Sequence, residues 1–205
     1  MAEVVIKEKV KDVNVAEFVG KIIARRETER CLTVFFRCTT QQGARTYTNS
    51  MKILSFSQDL NRKVNEIPLR AKCRISGYVS STRRMEKEED GRENEIIDQY
   101  FVLTDIERLD EETPDSNIIE ITGPVRRAFV TKGGNVIFIV TSVREGHYVK
   151  SLRFSISTKA GADLLPLMAA GTKIHMKGHC SVRPVREETE TVYVETIIAD
   201  LVEKA

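Results

Sequence analysis

Two short stretches place a ring and a cation at the same spacing: Tyr47-Thr48-Asn49-Ser50-Met51-Lys52 and Tyr148-Val149-Lys150-Ser151-Leu152-Arg153. Flat rings stack on nucleobases at about 1–3 kcal/mol each, and cations replace the counterions condensed on phosphates. The pairing therefore suits an unpaired polynucleotide. Along a strand successive side chains alternate faces, which sets Lys52 opposite Met51 and Ile53, and Arg153 opposite Leu152 and Phe154. The apolar set can then enter a core while the cation faces outward. Tyr47 and Tyr148 fit either a binding groove or a half-buried cross-strand position. Among the phenylalanines only Phe35 is a stacking candidate, because Phe36, Phe138 and Phe154 are needed to fill an interior poor in aromatics.

The doublets Arg25-Arg26 and Arg126-Arg127 are candidate phosphate contacts. Neighbours on a strand point oppositely, so one member of each doublet faces a groove unless a bulge intervenes. Arg83, Arg84 and Lys87, with Arg183 and Arg186, lie in charged stretches bordering the same face, and the acids beside them compete for their charge.

Nothing repeats a nucleophile, a His-carboxylate pair or a phosphate loop, so no catalytic residue, enzyme activity or cofactor is expected. His175 and His179 beside Cys180 share one strand and lack a second ligand cluster, so no metal is expected either. Cys31, Cys38, Cys73 and Cys180 form no C-x-x-C pair and read as reduced thiols inside strands. No apolar run approaches the roughly 20 residues that span a bilayer, and Met1 to Glu8 lacks the apolar core of a signal peptide. No membrane partner is expected.

The formal net charge of +2 is uneven. Residues 1–109 carry 20 basic and 17 acidic side chains, residues 118–205 carry 12 and 9, and residues 110–117 carry four acids and no base. Weak overall attraction leaves any polyanion to be held by local arrangement.

The elements that must position these residues recur. Gly20 corresponds to Gly123, Tyr47–Lys52 to Tyr148–Arg153, Cys73–Gly77 to Ile174–Gly178, and Phe101-Val102 with Leu109 to Tyr193-Val194 with Leu201. Four blocks in order imply a duplicated domain. The expected division is 1–109 (with an N-terminal extension, 1–15), an acidic linker 110–117, and 118–205.

In the first copy, strands are predicted at 16–24, 31–39, 46–56, 71–79 and 99–108, with a helix over 57–66 on which Leu60, Val64 and Ile67 share a face. The charged stretch 80–98 is predicted to be a mobile loop. In the second copy a meander from Ile118 to Ser157 turns at Lys132–Asn135 and Arg144–His147. A short helix capped by Asp163 and stopped by Gly171 precedes two further strands.

The order β-β-β-α-β-β is that of the OB-fold, a five-stranded Greek-key barrel. The fold class is thus all-β: two tandem barrels, each with one short helix between its third and fourth strands. The second copy, through Ala169–Ile174, Gly178, Tyr193–Thr196 and Ala199-Asp200, resembles bacterial and phage single-stranded DNA-binding proteins of the OB-fold type. The resemblance implies sequence-tolerant binding of single-stranded DNA in replication, recombination or repair, homodimerisation, and a cytoplasmic location. It also leaves room for replication or recombination proteins as partners. The chain departs from that family in having no Trp and in ending Ile198–Ala205 without an acidic recruiting tail. Alternatives are an OB-fold assembly scaffold in a replication or conjugation complex, and RNA as the ligand.

Overall fold

The structure, a computed structural model, describes residues 13–42, 44–87, 93–144, 150–159, 162–186 and 191–205. In the first half, five strands run β1 Asn14–Glu27, β2 Leu32–Gln42, β3 Arg45–Ser55, β4 Lys72–Lys87 and β5 Glu93–Arg108, with helix α1 at Gln58–Glu66. The second half has β6 Ser116–Val130, β7 Asn135–Arg144, β8 Lys150–Lys159, β9 Lys173–Arg186 and β10 Thr191–Lys204.

Each set closes on itself. Hydrogen-bonded neighbours run β1-β2-β3-β5-β4 and back to β1, and likewise β6-β7-β8-β10-β9 and back to β6. Closure is made by short parallel pairings, Ile53 with Phe101 and Ile156 with Ile197. This is the OB-fold order in both halves.

Alternation explains the cores. In β2, Leu32, Val34, Phe36 and Cys38 are buried while the residues between them are not. Phe18 meets Phe101 edge to face, with centroids 5.0 Å apart. Phe138, Val140, Ile156, Met176 and Ile197 fill the second barrel. Strands β1 and β6 must bend sharply for the barrels to close, and both do so next to a glycine. A Cβ at Gly20 would sit 2.2 Å from the Arg37 carbonyl oxygen, and one at Gly123 would sit 2.0 Å from that of Thr141. Both ladders shift register just afterwards, at Ile22/Ala24 and Val125/Arg127, as a bulge requires.

Ladder registers revise two of the four sequence correspondences. Cys73 with Ile174 holds, since they oppose Gly20 and Gly123 respectively. The third strands, however, are offset by two residues: Met51 opposes Phe36 as Phe154 opposes Val140, so Lys52 is equivalent to Ser155 and Arg153 to Ser50. The fifth strands slip by four, with Phe101 equivalent to Ile197. Both offsets are even numbers, so the inside-outside pattern survives and the sequence offers nothing against the wrong register.

Helix α1 is capped by Ser57, whose hydroxyl accepts from the Leu60 N–H, and it seals the first barrel with Val64 and Ile67. The second copy has a 3-10 helix instead, Ala162–Leu167, with Asp163 in its first turn and Leu164 inserted. Pro166 lacks an N–H and crowds the preceding turn, which disfavours a continuing α-helix. Residues 80–98 also differ from expectation. Most of that segment is an arm in which β4 and β5 stay paired out to Lys87 and Glu93. Opposite charges across the ladder, such as Lys87 with Glu93, suit a strand as well as a solvated loop. No helix among the described residues is long and apolar enough to cross a membrane.

The barrels join through an antiparallel pairing of β1 with β6, Asn14 opposite Ile121 through Val19 opposite Ser116. A repeated asparagine locks each side of this seam. Asn14 donates to the Val79 carbonyl at 2.9 Å and accepts from its N–H at 3.0 Å, and Asn117 does the same to Cys180 at 2.7 and 2.9 Å. Replacing buried Asn117 by Ala strands two backbone groups, so Asn117→Ala should cost about 2–3 kcal/mol in urea unfolding. A change below about 0.5 kcal/mol would show that water replaces the side chain.

The acidic segment between the barrels is anchored. Glu111 takes Lys21 Nζ at 2.7 Å and the Lys72 N–H at 3.1 Å, while Asp115 pairs with the buried Lys72 ammonium and accepts from the Thr39 N–H at 2.6 Å. The hydrogen bond from Lys21 holds the Glu111 carboxyl below its ordinary range.

Candidate nucleic-acid interface

The outward side of β1-β2-β3 forms a connected face. Ladder partners point the same way, and Phe35 opposes both Lys52 on β3 and Ala24 on β1. Two residues before Phe35 in β2, Thr33 opposes Arg26, and two residues after it, Arg37 opposes Ser50. Phe35 is half-buried, with its neighbours Arg26, Arg37 and Lys52 exposed around it. Arg37 Nε reaches Ser50 Oγ at 3.3 Å, which keeps its guanidinium along the face. None of these three cations forms an ion pair among the described residues. A ring beside exposed cations can stack a base and hold the phosphates next to it, and the Glu195 carboxylate that accepts from the Lys52 N–H offsets part of the Lys52 charge. Tyr47 lies farther along β3, opposite Thr40 and 41% exposed.

Arg25 is the member of its doublet that lies off this face. It points the other way from Arg26, and its guanidinium donates to the Ile67 carbonyl at the end of α1. Partial burial there lowers its pKa by desolvation. Its role is to tie β1 to the helix. Arg84 is also drawn off, to Asp98 at 3.2 Å and Glu86 at 3.3 Å.

On the second barrel the corresponding row holds Arg127 opposite Ile139, and Phe129 opposite Ile137. The Arg127 guanidinium lies 5.1 Å from the centre of the 38% exposed Phe129 ring. Arg126 is the extra residue of the bulge and is exposed. A bulge is what lets both members of this doublet reach solvent. Lys150 and Arg153 hold ladder positions opposite Arg144 and Thr141. Their side chains, and all of Tyr148, lie outside the described residues. Because Arg153 matches Ser50 in register, the cation is not repeated at the same place in the two barrels.

Hairpin arms carry each barrel over the other. Asn49 on β3 accepts from the Val182 N–H of β9 at 3.0 Å, and Glu195 on β10 accepts from the Lys52 N–H at 2.7 Å. The cleft made there is lined by Lys52, Leu54, Asp98, Tyr100, Tyr193 and Glu195. Arg183 opposes Val194 at its border. Desolvation raises the Glu195 carboxyl above its ordinary range, so the cleft loses negative charge as pH falls toward that raised value. A second cleft of about 530 Å³ sets Arg83 of β4 near Arg126.

Three contributors were missed by sequence reasoning: Arg37, Phe129 and Tyr193. Arg37 was readable, since it shares the outward parity of Phe35 in β2, and Phe129 stands two residues beyond Arg127. Tyr193 joins Lys52 only through a contact between barrels. The thiols of Cys38, Cys73 and Cys180 are buried, and desolvation pushes Cys38 up to about 12, Cys73 to about 11 and Cys180 well above its ordinary value. Such thiols are unreactive. His175 and His179 hydrogen-bond Thr122 and Asp200, each at 2.8 Å.

No protein-family model matches this chain, and no curated protein does. Among solved structures, the wild-type single-stranded DNA binding protein of Thermus aquaticus aligns with a TM-score of 0.64 and 11% identity, covering 96% of this chain and 94% of that one. A deletion mutant of the same protein aligns with a TM-score of 0.64 and 10% identity over 95% of each chain. At such identity the likeness is one of fold: two OB barrels in tandem along the full length.

Proposed function

We propose that this chain binds single-stranded DNA without strong sequence preference, by base stacking and phosphate neutralisation, and performs no covalent chemistry. The observation that carries this reading is Phe35 set among Arg26, Arg37 and Lys52 on an open strand face. It is supported by the tandem-barrel fold shared with proteins named for single-stranded DNA binding. The two binding units are residues 1–109 and 118–205, with 110–117 between them. A homodimer, a role in replication, recombination or repair, and a cytoplasmic location belong to the same proposal.

Titration of intrinsic Tyr fluorescence with oligo-dT at two salt concentrations is the direct test. Affinity should fall with a log-log slope of about −0.7 for each phosphate neutralised. A second reading, an assembly scaffold, is favoured by Asp98 and Glu195 beside Lys52. It requires that the same titration give no salt-sensitive binding.

A further inference from the structure

The cleft between β3, β5 and β10 is built by alternation on three strands. On β3, Lys52 and Leu54 lie on the outward side, interleaved with buried Met51, Ile53 and Ser55. Tyr100 stands one residue before Phe101 as Lys52 stands one before Ile53, and Ile53 pairs with Phe101, so the two residues are neighbours at the edge of the parallel ladder. On β10, Tyr193 and Glu195 share the side of Ile197, which is core in the second barrel. Farther along the arm that same side overhangs the first barrel instead, where Glu195 accepts from the Lys52 N–H.

This cleft suits a nucleobase better than a phosphate. It encloses about 420 Å³ and is lined by the 63% exposed Tyr193, the half-buried Tyr100 and the aliphatic Leu54. Its two carboxylates are not equivalent. Asp98 is held by Arg84 at 3.2 Å. Glu195 takes the Lys52 N–H on Oε1 at 2.7 Å and has no other hydrogen bond among the described residues. An ionised carboxylate offers about four lone-pair sites, so most of the acceptor capacity of Glu195 is unused. A phosphate is repelled by that charge, whereas an amino group on a base edge donates to it. Lys52 belongs both to this cleft and to the row around Phe35, so the cleft continues the open strand face.

Resting on the single-strand reading above, we infer that the cleft seats one base of the bound strand, with Tyr193 as its stacking surface and Glu195 accepting from the amino group of cytosine or a purine in preference to thymine. Thymine and uracil place a carbonyl oxygen where cytosine has its amino group, and that oxygen meets a carboxylate with no proton between them. One such seat in each chain favours amino-bearing bases by several-fold and leaves the rest of the strand bound without regard to sequence.

The test uses the full chain with labelled oligomers of dC, dU and dT, each about 35 nucleotides and so long enough for both barrels, and reads binding by anisotropy. Cytosine and uracil differ by the exchange of an amino group for a carbonyl and the N3 proton that accompanies it, and thymine controls for the methyl group. The unaltered chain should bind oligo-dC at least about fivefold more tightly than oligo-dU, and Glu195→Gln should bring the two within about twofold. The carboxamide keeps an acceptor for the Lys52 N–H and removes a charge that desolvation already disfavours, so this variant should stay folded. Tyr193→Ala should weaken all three oligomers by at least about fivefold, and Tyr193→Phe should restore them, because the ring alone stacks. Equal affinity of the unaltered chain for oligo-dC and oligo-dU, which needs no variant to measure, would overturn the seat. So would a dC preference that persists in Glu195→Gln, or parental affinities in Tyr193→Ala. If the unaltered chain binds none of the three in a salt-dependent way, the single-strand reading itself fails.

Discussion

Reversing Arg37 and Lys52 together should weaken binding to oligo-dT about 30-fold at about 0.1 M salt. The two cations lie diagonally across the β2-β3 ladder, on either side of Phe35. In water, unit charges about 5 Å apart interact by roughly 0.8 kcal/mol, so changing +1 to −1 alters each phosphate contact by about 1.7 kcal/mol. Two such changes give about 3.3 kcal/mol before screening, and screening over a Debye length of about 10 Å reduces this to about 2.0, which is about thirtyfold. Lys52 is exposed between buried Met51 and Ile53, and Arg37 between buried Phe36 and Cys38, so neither change disturbs the core. Phe35→Ala should separately remove about 1–3 kcal/mol and leave the salt slope intact, because stacking releases no counterion. Fluorescence titration of Arg37→Glu/Lys52→Glu against the parent chain measures the first effect. An affinity within about threefold of the parent would remove the β2-β3 face from the site.

Asp115→Ala should destabilise the chain by about 3–5 kcal/mol, as measured by urea unfolding. The ammonium of Lys72 has only 8% of its side chain exposed, and Asp115, itself 15% exposed, is its partner. Removing the carboxylate leaves an uncompensated buried charge and also frees the Thr39 N–H. Replacing both residues at once, as in Lys72→Met/Asp115→Leu, should recover much of the loss, since an apolar pair has no charge to desolvate. A cost under about 1 kcal/mol for the single change would mean that water reaches Lys72 and that the acidic segment does not fasten the first barrel to the second.

Parts of the chain differ in how readable they are from the residues alone. Outward placement of Phe35 and Lys52 followed from period-two alternation, because one buried face forces the other outward. Helix α1 announced itself through Ser57 and the spacing of Leu60, Val64 and Ile67. By contrast, nothing local distinguishes Arg25, tied to Ile67, from Arg26, which faces the groove. The bulge after Gly20 decides that, together with where α1 ends.

The sequence by itself determined that the chain is all-β, duplicated and built as barrels, and which side of the central strands is wet, because alternation, turns and repeated glycines act over a few residues. Register between the copies, the anchoring of Glu111 and Asp115, and the meeting of Lys52 with Glu195 and of Arg126 with Arg83 were decided by tertiary structure. An offset of two or four residues preserves every inside-outside assignment, so local pattern cannot detect it. Contacts between barrels join residues as far apart as 143 positions, as between Lys52 and Glu195. Such pairs exist only once β1 and β6 have paired and brought the arms across.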